Sequence, residues 1–183
     1  MQVSLPDVII DGVIEYEKVD VPILFAAITT ISGKLSTIPS TLENIAGHGH
    51  KYLIMSDDEY KKLDGVNAAI KIPTHPGPFT ATNAALTGKY QKETLEYFMH
   101  EKATAGTKEW IKKSFNKTGV LHDLEAHDGS IKETPMEIID HLWEQIPDHE
   151  KQRAINDIEK TLDTEWDHDQ PIQKYMKELQ DMK

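Results

Sequence analysis

One pair of histidines has the spacing of metal ligands, His48 and His50 in Gly47-His48-Gly49-His50. In an extended segment, residues two apart project to the same side, so both rings would face one way. A zinc or iron ion still needs a third and usually a fourth donor from histidine or carboxylate. The nearest acids on the C-terminal side are Asp57 and Asp58. They follow Ser56, which is placed to cap a short helix reaching Leu63, and acids in a first turn are ordinary partners of the helix dipole. His48 and His50 are therefore weak metal candidates beside the alternative of a glycine-rich turn, and no metal or other cofactor is expected.

Catalytic groupings fare no better. Asp167-His168-Asp169 could serve as an acid–base cluster, but it directly precedes Pro171 at a helix start, where aspartate is favoured as a cap. His149-Glu150 begins like a zinc-protease helix motif, yet position 153 is arginine. No phosphate-binding glycine loop, dinucleotide fingerprint or serine-nucleophile elbow occurs. The chain has no cysteine, which excludes a thiol nucleophile, a disulfide framework and cysteine-ligated zinc. His100, His122 and His141 lie on or near helical stretches without a fixed acidic partner. No catalytic residue is assigned, and the chain is expected not to be an enzyme.

Charge narrows the partners. The formal net charge is −11, and the segment from Glu133 to Lys183 holds 14 acids against 6 bases, so −8 of it lies there. Arg153 is the only arginine. Nucleic-acid affinity comes largely from clustered Lys and Arg neutralising phosphates, so this surface would repel a phosphate backbone. No apolar run approaches a membrane span and no signal-peptide pattern opens the chain. The expected partner is protein.

The elements that would position these residues are helical. Asp20 can cap a helix starting near Pro22, on which Leu24, Ile28, Ile31, Leu35 and Ile38 form an apolar seam that Pro39 stops. Helical rhythm returns from Asn83 to about Asn116, with a break expected at Ala105-Gly106-Thr107. Val120, Leu121 and Leu124 mark a further short turn. Thr134-Pro135-Met136-Glu137 is a capping box with proline at the first helical position, opening a helix that carries Ile139, Leu142 and Trp143. Pro147 ends it, and Asp148 can cap a second helix bearing Ile155, Ile158 and Leu162. A third follows Pro171, with Tyr175, Leu179 and Met182 on its stripe. Val8-Ile9-Ile10, Asp11-Gly12, Val13-Ile14 gives the signal for a tight hairpin, with a loosely held extended arm as the alternative. Pro73, Pro76, Gly77 and Pro78 forbid regular structure, making residues 64–82 a proline-rich connector.

The sum is an all-α compact bundle of roughly six to eight helices with almost no strand. An arm or short N-terminal β-hairpin spans 1–19 and a helical domain spans 20–183. Matching apolar stripes put Ile28, Ile31 and Leu35 of the first helix in one core with Ile139, Trp143, Ile155 and Leu179. Phe25 and Tyr97 lie off the main seams and are the candidates for contacts between subunits.

The ordered motifs resemble the Gag-like capsid region of Copia-type long-terminal-repeat retrotransposons, in the group abundant in diatoms and other algae. His48-Gly49-His50 followed by Tyr52-Leu53-Ile54-Met55-Ser56, Asp58, Tyr60 and Leu63 is similar to that group's Gly-His block and tyrosine-containing short helix. Pro73-Thr74-His75-Pro76-Gly77-Pro78 resembles its proline-rich connector, and Tyr90 through Phe98 its long polar helix. Thr134, Met136, Leu142 and Trp143 resemble the helix that ends in an aromatic residue and glycine, although Gln145-Ile146-Pro147 stands in place of that end. Trp166-Asp167 with Gln170-Pro171-Ile172 is similar to an aromatic-Asp-Pro-Asn-Gln-Pro-Ile segment, with His168 where proline is usual.

The resemblance implies an N-terminal capsid domain that self-associates into rings within a particle shell. That is a cytoplasmic virus-like particle, its partner being other copies of itself and its RNA held indirectly through segments other than these. A soluble helical adaptor holding another protein's peptide, including a domesticated Gag copy, is the alternative. A metal-dependent enzyme built on His48 and His50 is the third.

Overall fold

The structure, a computed structural model, describes residues 8, 10–39, 48–63, 72–80 and 83–165, with side chains described up to residue 160. It is all-α. Among the described residues there are five α-helices: α1 (Val21–Thr37), α2 (Asp57–Lys61), α3 (Ala84–Phe115), α4 (Pro135–Glu144) and α5 (Asp148–Glu165). Short 3-10 turns cover Lys51–Ile54, Asn116–Thr118 and His122–Leu124. The chain divides into two compact units, Met1–Gln145 and Ile146–Lys183.

Helix starts are set locally. The Asp20 carboxylate accepts from Ile23 N at 2.9 Å and Asn83 from Leu86 N at 2.9 Å. Ser56 with Glu59, and Thr134 with Glu137, both form complete capping boxes. Each satisfies backbone N–H groups that a helix start leaves without intrahelical partners, worth about 1 kcal/mol per cap.

Five helices is fewer than expected, partly because α3 runs unbroken through Ala105-Gly106-Thr107. Gly106 is not a breaker but a notch: a Cβ there would lie 3.3 Å from Cδ1 of Ile10, which packs against the helix. Thr107 is fully buried and its hydroxyl donates to the Ala103 carbonyl at 2.7 Å, so its polar atom is absorbed within the helix. The expected third helix of the C-terminal segment, with Leu179, lies outside the described residues.

The N-terminal segment is an arm and not a hairpin over residues 10–19. Gly12 does adopt the positive φ of a turn, +71°. The backbone that follows pairs with α3 instead of folding back. Tyr16 N donates to Ser114 O at 2.7 Å, Trp110 Nε1 donates to Gly12 O at 3.3 Å, and the Tyr16 ring stacks on Phe115 at 5.0 Å. Lys117 then clamps Glu15 at 2.8 Å and Glu17 at 3.2 Å. A helix face rich in aromatic anchors outcompetes a two-stranded ribbon, which alone is marginal in water.

In the first unit, α1 buries Val21, Leu24, Ala27, Ile31 and Leu35, α4 buries Ile138, Ile139 and Leu142, and the C-terminal half of α3 buries Met99, Ala103, Trp110, Ile111 and Phe115. Ile31, Leu35 and Ile139 are thus buried as expected, whereas Ile28 and Trp143 are half-buried. Trp143 sits at the edge, its ring edge-on to Phe25 with centroids 6.5 Å apart.

In the second unit, α5 is a strongly polar helix with an ion pair at Arg153–Asp157 and a hydrogen bond from Gln152 to Asn156. Ile155, expected in the core, is 43% exposed. Its stripe is too thin: Ile155 and Ile158 stand among Lys151, Arg153, Asp157, Glu159 and Lys160, so most of the helix surface favours water.

Candidate functional site

The Gly-His block lies at the end of α1. Residues 48–50 form a turn rather than an extended segment, with Gly49 at φ +53°. The alternation that would aim both imidazoles to one face therefore does not apply. Gly49 is buried against the carbonyls of Leu35, Ser36 and Ile38, where any Cβ would collide. That approach lets His50 N donate to Leu35 O at 2.9 Å, giving the helix terminus a partner for one of its free carbonyls. His50 Nδ1 lies 3.4 Å from Ile38 O.

The 3-10 turn that follows carries Tyr52 inward. Its hydroxyl is 2.9 Å from Nδ1 of His100 on α3, and the two rings stack with centroids 5.9 Å apart and planes 7° from parallel. The His50 ring lies 5.6 Å from Tyr52, tilted by 34°, and Tyr60 of α2 meets Tyr52 edge-on at 6.2 Å. The set is almost dry: His50, Tyr52 and His100 are 2%, 5% and 9% exposed. Burial pushes the Tyr52 phenol well above its ordinary value, with Tyr60 adding to the effect. It stays an O–H, and its oxygen shares a hydrogen bond with His100 Nδ1. Burial lowers both histidines. For His50 the Ile38 carbonyl opposes this and His100 reinforces it; for His100 the Glu101 carboxylate opposes it.

These states limit the chemistry. A phenol held protonated is no base, and among the described residues no carboxylate bonds to either imidazole to orient it as one. Among the described residues no three His, Asp or Glu side chains gather closely enough to hold a metal ion. The arrangement suits a polar clasp that joins α1, α3 and α2 through one short turn.

A cavity of about 400 Å³ opens beside the clasp, lined by Tyr52, Leu53, Met55, Asp57, Ile72, His100, Thr104 and the first turn of α4, Thr134–Met136. The Thr104 hydroxyl, at this wall, is buried without a hydrogen-bond partner.

Of the two interface candidates, Phe25 is 37% exposed on α1, with Trp143 its edge-on neighbour. Tyr97 is half-buried, meeting His75 of the proline-rich connector at 5.2 Å and Phe98 at 5.4 Å. The connector is further tied down by Tyr90, whose hydroxyl donates to Gly77 O at 3.1 Å, and by Phe79 against the Tyr90 ring at 5.0 Å. Tyr97 is thus partly spent inside its own subunit. Sequence reasoning missed the Tyr52–His100 pair, whose members are 48 residues apart and carry no local signal.

No family model, curated protein or solved structure matches the chain.

Proposed function

We propose that this chain is a non-catalytic assembly domain, the Gag-like capsid domain of a Copia-type retroelement, which associates with copies of itself to build a particle shell in the cytoplasm. The observation that carries the reading is where the resembling residues sit. Gly49, His50, Tyr52, Leu53, Ile54 and Tyr60 are all buried. The motif match therefore falls on residues that determine the fold, where a family likeness carries more weight than on a variable surface. Phe25, exposed beside Trp143, offers an aromatic patch on the outside of that framework. RNA is held indirectly in this reading, through basic segments other than this acidic chain.

Capsid contacts are individually small and become strong only when many form together. The test is sedimentation velocity and negative-stain microscopy at high protein concentration, with rising salt. Rings, sheets or shells are expected; a strictly monomeric species at every salt, pH and concentration would sink the reading.

The cavity beside Tyr52 favours a second reading, a helical adaptor or domesticated Gag copy whose groove holds a partner's side chain. It predicts a monomer under all those conditions.

A further inference from the structure

We propose that the His50–Tyr52–His100 cluster is a two-proton latch: mild acid charges both imidazoles together and releases the turn at residues 48–55 from α1 and α3. This stands on the geometry of the clasp and does not depend on the assembly reading.

The Tyr52 ring lies 5.6 Å from the His50 imidazole and 5.9 Å from that of His100, and all three side chains are largely buried. The Tyr52 hydroxyl lies 2.9 Å from Nδ1 of His100 and shares a hydrogen bond with it. A second proton on that ring leaves both of its nitrogens donors only and puts a charge on a largely buried imidazole. The same loss of hydration meets a proton on His50.

The surroundings do little to compensate. At the end of α1 the Ile38 carbonyl oxygen stands 3.4 Å from Nδ1 of His50. It favours a charged His50, but less than burial disfavours it. From α2 comes neutral Tyr60, with Asp57 at the rim of the adjoining cavity. From α3 comes Glu101, exposed, whose pull on His100 is likewise outweighed by burial. The first turn of α4 brings Thr134, Pro135 and Met136 to the cavity, none of them charged. The turn itself carries His48 and Lys51 on either side of His50. Each charged imidazole also disfavours the other.

Both histidines are held below the ordinary value of 6.5 while the turn is docked and return to it when wetted. The clasp is therefore fully closed above pH 6.5 and weakens as pH falls below it, because the open state binds two more protons than the closed one. Between 6.5 and the docked values the opening constant should approach the square of proton concentration, about a hundredfold per pH unit. A single buried histidine would give about tenfold.

The experiment is hydrogen exchange on the full chain from pH 7.5 downward, read as protection factors for the amides of His50 and Leu53, which bond Leu35 O and His50 O. The expected result is a fall of about a hundredfold per unit below pH 6.5 at these amides. Ile111, in the C-terminal half of α3, should keep its protection over the same range. His100→Asn keeps an acceptor where Nδ1 was, and His50→Asn is its counterpart. Each should halve the logarithmic slope and the double variant should abolish it. A wild-type slope unchanged in the double variant, or loss of protection at Ile111 in step with the turn, overturns the proposal. Should the variants fail to fold, direct NMR titration of the wild-type imidazoles decides: both must titrate below 6.5, and either one at or above it overturns the latch.

Discussion

A Cβ built on Gly49 would stand 2.3 Å from the carbonyl oxygen of Leu35, with Ser36 O at 2.7 Å and Ile38 O at 2.8 Å. The turn and the end of α1 are therefore joined backbone to backbone, with no side chain able to give way. Gly49 also holds a positive φ, which adds strain for any other residue. Gly49→Ala should cost about 3 kcal/mol or more in urea unfolding, with a loss of the His50 clasp. A cost under about 1 kcal/mol would mean that the turn does not seat on α1 as described.

The two tryptophans of the first unit should behave differently. Trp110 is 1% exposed and its indole N–H reaches Gly12 O, whereas Trp143 is half-buried against Phe25. Trp110→Ala should cost about 3–5 kcal/mol and free the N-terminal arm. Trp143→Ala should cost less, about 1–2 kcal/mol, since part of its ring already meets water. Equal losses in denaturant melts would place Trp143 in the core after all.

Association should respond to charge in two directions. Added salt screens the acidic surface, and going from pH 7 to 6 makes a chain with nine histidines less negative, so both should promote self-association. Further acidification opens the clasp and should reverse the trend. Phe25→Asp should suppress association throughout, while Tyr97→Asp should also loosen the connector that packs on it. Sedimentation velocity across the pH range checks this, and association that fails to rise with salt or between pH 7 and 6 would contradict the charge argument.

RNA should bind weakly at physiological salt. One arginine and a net charge of −11 leave few cations to displace counterions from a phosphate backbone. Fluorescence anisotropy on unstructured RNA should show weak binding with a shallow salt slope. A sub-micromolar, salt-steep dissociation constant would overturn the expectation.

What the sequence discloses here is what a few adjacent residues can decide. Asp20, Ser56 and Thr134 cap helices because a carboxylate or hydroxyl three positions before a free N–H needs nothing remote. The apolar stripe of α1 is equally local, and Ile31 and Leu35 are buried accordingly. Gly106 looked like a breaker because its purpose, room for Ile10, lies 96 residues away in the chain. Asp11-Gly12 was a fair turn signal, but Trp110 and Phe115 decided where the following backbone went. The clasp was the least legible feature, since stacking a tyrosine on a histidine 48 positions later is a result of packing and not of pattern.

The arm carries a consequence for the order of events on the ribosome. Its hydrogen bonds with Trp110 and Lys117 include separations of 98 and 100 residues. Closing so large a loop is entropically unfavourable until the helix that receives it exists. Residues 10–17, made before the helix that receives them, must therefore wait undocked while α1, the clasp and α3 are synthesised and assembled. Last to dock, the arm should also be the first part to detach on heating, so a protease that cuts near Lys18 would report the earliest step of unfolding while the helices are still in place.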